Sequence, residues 1–203
     1  MAAESARTPI ARLERRLFHL CAASVLPALL FLFPRLPVLF LSLGITAIAL
    51  ATEALRFRLP NFNAWLLGII KPLVKQKEHG EVFASTYLLI AASFVILLFP
   101  KPIAVLALFF LAIGDPMAAL VGQRWGRHQI GSRTLEGSAA FALGALAIGT
   151  VLLTAGLALT WPVLVVGLAA ATLAELAPLP SDDNLKVPIL SATAMLAATH
   201  LWA

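Results

Sequence analysis

Apolar runs long enough to cross a bilayer recur from one end of this chain to the other, and that recurrence decides most of what it can fold into. A helix of about 20 apolar residues spans the ~30 Å hydrocarbon layer. Stretches of that length, or near it, fall at Leu17–Phe33, Leu36–Leu55, Val82–Phe99, Pro102–Val121, Glu136–Leu159, Pro162–Ala177 and Val187–Trp202. They take up most of the 203 residues, so little chain is left for a soluble part. The expected fold is an all-α polytopic membrane protein of about seven transmembrane helices, a single membrane-embedded domain over residues 1–203. Charged residues make up 12% of the chain, about half the usual share of a soluble domain. This excludes a disordered chain, a disulfide-stapled secreted domain and a nucleic-acid-binding domain. The lone cysteine, Cys21, lies in an apolar run and reads as a buried spectator.

Orientation follows from Lys and Arg, which concentrate on the cytoplasmic side of membrane proteins. With the N-terminus cytoplasmic and the C-terminus outside, only Arg35 and Lys101 of the 15 basic residues lie outside, which leaves 13 inside. The first span follows Arg7, Arg12, Arg15 and Arg16 as a signal peptide would. It ends in Phe33-Pro34-Arg35 with no small-residue cleavage site, so it reads as a retained helix. All ten acids fall in cytoplasmic segments or in the cytoplasmic halves of spans. Sidedness rules do not require this of acids, whereas a polar site on the inner face does. Residues 56–81 read as a cytoplasmic loop with an interfacial helix, interrupted near Pro72, because Phe62, Trp65, Leu66, Ile69, Ile70 and Leu73 recur at helical spacing.

The residues that carry chemistry gather in Ile113–Ser138. Asp115 is a carboxylate within an apolar run, a costly placement unless it is paired, metal-bound or hydrated. The order Gly114-Asp115-Pro116 fits a helix end, an N-cap and a first-turn proline, so the fourth span is expected to break there. A cap at a proline kink explains the same order without a site. Gly114, Ala118, Gly122 and Gly126, four apart, fit close helix packing. For Gly122 and Gly126 they also fit backbone amides approaching phosphates. Arg124, Arg127 and Arg133, with His128 and Thr134 nearby, suit a triphosphate; they equally suit interfacial anchoring. Glu136 is either a plain helix-start acid behind the N-cap Thr134 or an oxygen ligand for Mg²⁺. Asp183 and Asn184 suit Mg²⁺ or the capping of the last helix. Arg15 and His19, Glu53 and Arg56, and Lys77 and Glu78 stand at span mouths on the same side, together with Glu175. Each fits a headgroup-level surface pair as well as a part of a composite site. His79 and His200 look incidental.

The stretch Asp115–Gly137 resembles the signature of the CTP-dependent lipid-alcohol kinases, the group of dolichol kinase, phytol kinase and CTP-dependent diacylglycerol kinase. Asp115, Ala118, Gly122, Gly126, Thr134, Glu136 and Gly137 fall at its positions. Weaker likeness extends through Glu14–His19, Glu53 with Arg56, Lys77–Tyr87, and Glu175 through Pro188. Arg133 stands where the group often has Lys, and Gln129 where another basic residue is common. With seven spans, the chain looks like the short phytol-kinase-like form. The resemblance implies transfer of the γ-phosphoryl of CTP to a long-chain lipid alcohol such as a polyprenol or phytol. It implies residues 122–135 as the nucleotide-binding loop, with Gly122, Arg124, Gly126, Arg127, Arg133, Thr134 and Gly137 on the nucleotide. It further implies Asp115 and Glu136 as catalytic residues, and Mg²⁺ held by Asp115, Glu136 and Asp183. Rival readings are CMP transfer to a lipid phosphate, as in a phosphatidate cytidylyltransferase, and a non-enzymatic transporter.

Overall fold

The computed structural model describes residues 9–70, 79–178 and 181–201, with side chains from residue 17 onward. Among them are eight helices: α1 Pro9–Leu32, α2 Arg35–Arg58, α3 Pro60–Ile70, α4 Ala84–Leu98, α5 Lys101–Trp125, α6 Leu135–Thr154, α7 Trp161–Leu176 and α8 Asp183–Leu201. Seven of them lie on the seven apolar segments, and α3 takes the first part of the 56–81 segment. Three helices are long and apolar enough to cross a membrane, namely α2, α5 and α6. Leu17–Leu32, Ala84–Leu98 and Trp161–Leu176 are shorter apolar helices.

Helix ends follow local chemistry. Pro102 and Pro162 occupy first-turn positions of α5 and α7, where a missing N–H costs nothing. Thr134 caps α6, its hydroxyl accepting from the Gly137 amide at 3.1 Å. Asp182 does the same for α8, accepting from the Asn184 amide at 3.0 Å. The fifth apolar segment was expected to remain helical to Leu159, but α6 stops at Thr154. Gly156 there has φ +93°, a left-handed conformation that ends the helix.

α5 is the axis of the bundle and packs against α1, α4, α6, α7 and α8. Every residue from Ile103 to Ala112 is buried, and a helix apolar on all sides belongs at such a centre. α2 lies outside and shows Phe40, Ile48 and Leu55 at its surface. It is pinned to α4 by hydroxyls, Ser42 Oγ to Ser93 Oγ at 2.7 Å and Thr46 Oγ1 to Ser93 Oγ at 2.8 Å. Such bonds join helices where apolar burial supplies no drive.

Two expectations are corrected, and one short element is added. α5 does not break at Gly114-Asp115-Pro116 but runs unbroken to Trp125, with Asp115 inside it rather than capping it. Pro116 removes one backbone donor, and packed neighbours make that tolerable in membrane helices. The fold is all-helical as expected, and between α5 and α6 Gln129–Ile130 and Arg133–Thr134 pair as a short two-stranded antiparallel ribbon, β1 and β2. Its loop is Gly131-Ser132, with Gly131 at φ +60°, a signal for a tight hairpin. Cys21 is exposed on the surface of α1, not buried.

Candidate active site

The polar residues gather where α5 ends and α6 and α8 begin. The glycine stripe of α5 is what brings the elements together. A Cβ on Gly114 would stand 2.5 Å from the Phe141 ring of α6, and one on Gly137 would stand 3.1 Å from the Ala118 carbonyl. A Cβ on Gly122 would meet the Thr134 hydroxyl at 2.9 Å, and one on Gly126 would meet the same hydroxyl at 2.9 Å. Thr134 therefore packs on the side of α5 where a Cβ at Gly122 or Gly126 would stand. The stripe is a packing surface, and it places the ribbon and the first turn of α6 against the last turns of α5.

Three helices and the ribbon then meet through one ionic network. Arg133 on β2 pairs with Asp183 of α8 and stands 3.8 Å from Glu175 of α7. Lys186 Nζ lies 2.9 Å from Asp183 and donates to the Ala177 carbonyl at 3.0 Å. Ser138 of α6 donates to Glu175 at 2.5 Å. Glu175 is 2% exposed, so its charge is held inside the bundle and needs these partners. Asn184 also turns inward and donates its side-chain amide to Asp182 at 2.7 Å.

Glu136 makes a separate cluster near the surface. It accepts from the Arg127 amide at 3.0 Å and lies 2.7 Å from His128 Nδ1. The Leu135 amide donates to the His128 carbonyl at 2.9 Å, which closes the connection between α5 and α6. Arg124 stacks on Trp125. Arg124 and Arg127 are both exposed, and neither pairs with a carboxylate among the described residues.

Asp115 lies within α5 with its side chain 31% exposed. Among the described residues it faces His19 Nε2 of α1, 3.8 Å away and beyond hydrogen-bond range. That Nε2 is itself buried with no hydrogen-bond partner. By contrast, Glu53 of α2 is closed off. It pairs with Arg56 at 2.5 Å and accepts from the Phe83 amide at 2.8 Å and the Thr86 hydroxyl at 3.1 Å. Arg56 stacks on Phe83 and bonds the Glu81 carbonyl. This pair fastens the entry of α4 to the end of α2.

The structure thus joins Arg133, Glu175 and Asp183, and separately Arg127, His128 and Glu136. It sets His19 beside Asp115. Lys77, Glu78 and Pro72 lie outside the described residues, as does the side chain of Arg15. The Asp115, Glu136 and Asp183 carboxylates do not converge: among the described residues, no group of three or more His, Cys, Asp or Glu side chains is placed to hold a metal ion. Ser138 and Lys186 were not anticipated. Their signal was present as helical spacing, Ser138 four residues after Thr134 and Lys186 three after Asp183.

Comparison with known proteins bears on this arrangement. The chain is 25% identical over 182 residues to an uncharacterized protein of Rickettsia prowazekii, a match that covers 87% of this chain and 89% of that one. It is 25% identical over 163 residues to the CTP-dependent diacylglycerol kinase 1 of Schizosaccharomyces pombe, covering 71% of this chain and 73% of the yeast protein. It is 39% identical over 106 residues to the phytol kinase of a Synechocystis strain, covering 49% of this chain and 46% of the relative. These likenesses support kinship with the CTP-dependent lipid kinases. No family model and no solved structure matches the chain. The apolar helices and this kinship together make it a membrane protein.

Proposed function

We propose that this protein transfers the γ-phosphoryl group of CTP to the hydroxyl of a long-chain lipid alcohol, a polyprenol, phytol or related isoprenoid, at the cytoplasmic face of the membrane. The observation that carries the reading is Asp115. It is a span-embedded carboxylate with no hydrogen bond among the described residues, and it stands beside a partnerless histidine nitrogen. Asp115 is half-buried, whereas the fully buried acids Glu53 and Glu175 are both satisfied. A carboxylate held in a span without a partner costs several kcal/mol, on the order that marks functional acids in membranes. The named kinase relatives supply the reaction class and the nucleotide.

In this reading the chain crosses the bilayer seven times with its N-terminus inside. Arg124 and Arg127 take the triphosphate as it arrives from the cytoplasm. Arg133 is held in place by Glu175 and Asp183 and offers its outer face to phosphate oxygens. Asp115 accepts the alcohol proton as the oxygen attacks the γ-phosphorus, the bond from that phosphorus to the β–γ bridging oxygen breaks and CDP leaves, and His19 orients the hydroxyl. Phosphoryl transfer asks for this kind of positioning and charge placement more than for covalent chemistry.

Mg²⁺ belongs to the reading as a companion of the nucleotide. Bound to a triphosphate, it takes phosphate oxygens and only one or two carboxylates, so the dispersed acids fit it. Asp115 has oxygens to spare, while Glu136 and Asp183 would have to trade existing partners. The ion would neutralise charge on the β- and γ-phosphates.

The test is Asp115→Asn in detergent or nanodiscs. A positioned general base is worth about 10²–10⁴-fold in rate. Turnover should fall at least ~100-fold with the fold intact. Activity within a few-fold of the unaltered protein would remove Asp115 from the mechanism.

A further inference from the structure

Beside α1 lies an apolar groove of about 270 Å³, walled by α1, α2, α4 and α5. Ala22 and Leu26 line it from α1, Leu41 and Ile45 from α2, Leu88 from α4 and Leu108 from α5. Its walls are almost free of polar atoms. α1 and α5 pack together, and His19 meets Asp115 across that interface. Leu26 lies seven residues beyond His19, and Leu108 seven residues before Asp115. The two helices therefore run antiparallel, with the polar pair about 10 Å along from the Leu26–Leu108 level of the groove. Ala22, three residues from His19, lies on the same face of α1 and marks the near end.

We propose that this groove holds the hydrocarbon chain of the substrate, with its hydroxyl at the His19–Asp115 pair. The inference rests on the kinase reading for the identity of the head group. An apolar groove on the same two helices as a carboxylate and an unpartnered imidazole nitrogen, about 10 Å along from them, complements a single-chain amphiphile whose head both donates and accepts a hydrogen bond. The volume stands near the ~300 Å³ lower end of small-ligand sites, enough for a segment of one chain and not for two side by side. Single-chain alcohols are therefore better substrates than diacylglycerol. Ala22 and Ile45 are exposed on the groove walls rather than packed in the core, so larger side chains there shorten the trough at little cost to the fold.

Two readouts test this on the full chain in nanodiscs. First, a diazirine-bearing long-chain primary alcohol is photolysed and the labelled residues are mapped. Labelling within Ala22–Pro27, Leu41–Ile45 and Leu88–Ala92, competed away by phytol, is expected. Labelling spread over outward-facing residues such as Ile48, with no competition, would overturn the groove. Second, Ala22→Phe and Ile45→Trp should raise KM for phytol at least ten-fold and KM for CTP less than two-fold. Ile48→Phe, on the outer face of α2, serves as the control and should leave both unchanged. Equal effects of all three variants, or a diacylglycerol preference in the unaltered protein, would also overturn it. Competed labelling of the groove without any CTP-dependent transfer would keep the groove and refute the kinase reading instead.

Discussion

At the residue scale, the acids sort by whether they are satisfied. Glu53 and Arg56 show one extreme. Both are buried, Arg56 at 2% exposure, and every nearby donor is used. Removing one member of a buried pair strands the other, which costs about 3–5 kcal/mol. Glu53→Ala should therefore destabilise the protein by that order in thermal unfolding, while Thr52→Ala at the half-buried preceding position should do little. Equal effects would show that the Arg56 guanidinium finds water once its partner is gone. This pair was legible in the sequence as an i, i+3 spacing. Its partners Phe83 and Thr86 were not, because they lie 30 and 33 residues away and only folding brings them near. The same holds for Arg133. Its basic character was readable, but its ties to Glu175 and Asp183 join three elements that no local pattern links.

At the element scale, the contact between α5 and α6 sets the geometry. Small residues at Gly114, Ala118 and Gly122 let Phe141, Gly137 and Thr134 approach. Gly114→Ala places a methyl 2.5 Å from the Phe141 ring. The aromatic ring is buried with no free side to move into, and overpacking of that kind costs about 1–3 kcal/mol. Circular dichroism melts should show the loss, and Phe141→Leu in the same chain should return part of it. No recovery in the double variant would place the strain elsewhere. The four-residue spacing announced this packing from sequence. The expected helix break at Pro116 failed because proline chemistry alone was weighed, without the neighbours that hold the helix straight. The ribbon was missed although Gly131-Ser132 carries the turn signal, since strands of two residues leave no periodicity to read.

At the scale of the whole molecule, apolar length made the bundle legible, and hydropathy reports little of which faces meet. The site needs all of its acids and cations on one side of the membrane. On the proposed topology of seven spans with the N-terminus inside, Ser132→Cys in a Cys21→Ser background should react with a membrane-impermeant maleimide only after vesicles are opened, if the cytoplasmic face is enclosed. A cysteine at Ala155 should react from the outside. The reverse pattern would invert the topology and separate the basic loop from cytoplasmic nucleotide.

The central claim is the fate of a phosphate. Purified protein in nanodiscs, given Mg²⁺ and CTP labelled at either the α- or the γ-phosphate, should move γ-label alone onto phytol or a polyprenol. Asp115→Asn should stop that transfer. Transfer of α-label onto phosphatidate would instead make the protein a cytidylyltransferase and contradict the account at its centre.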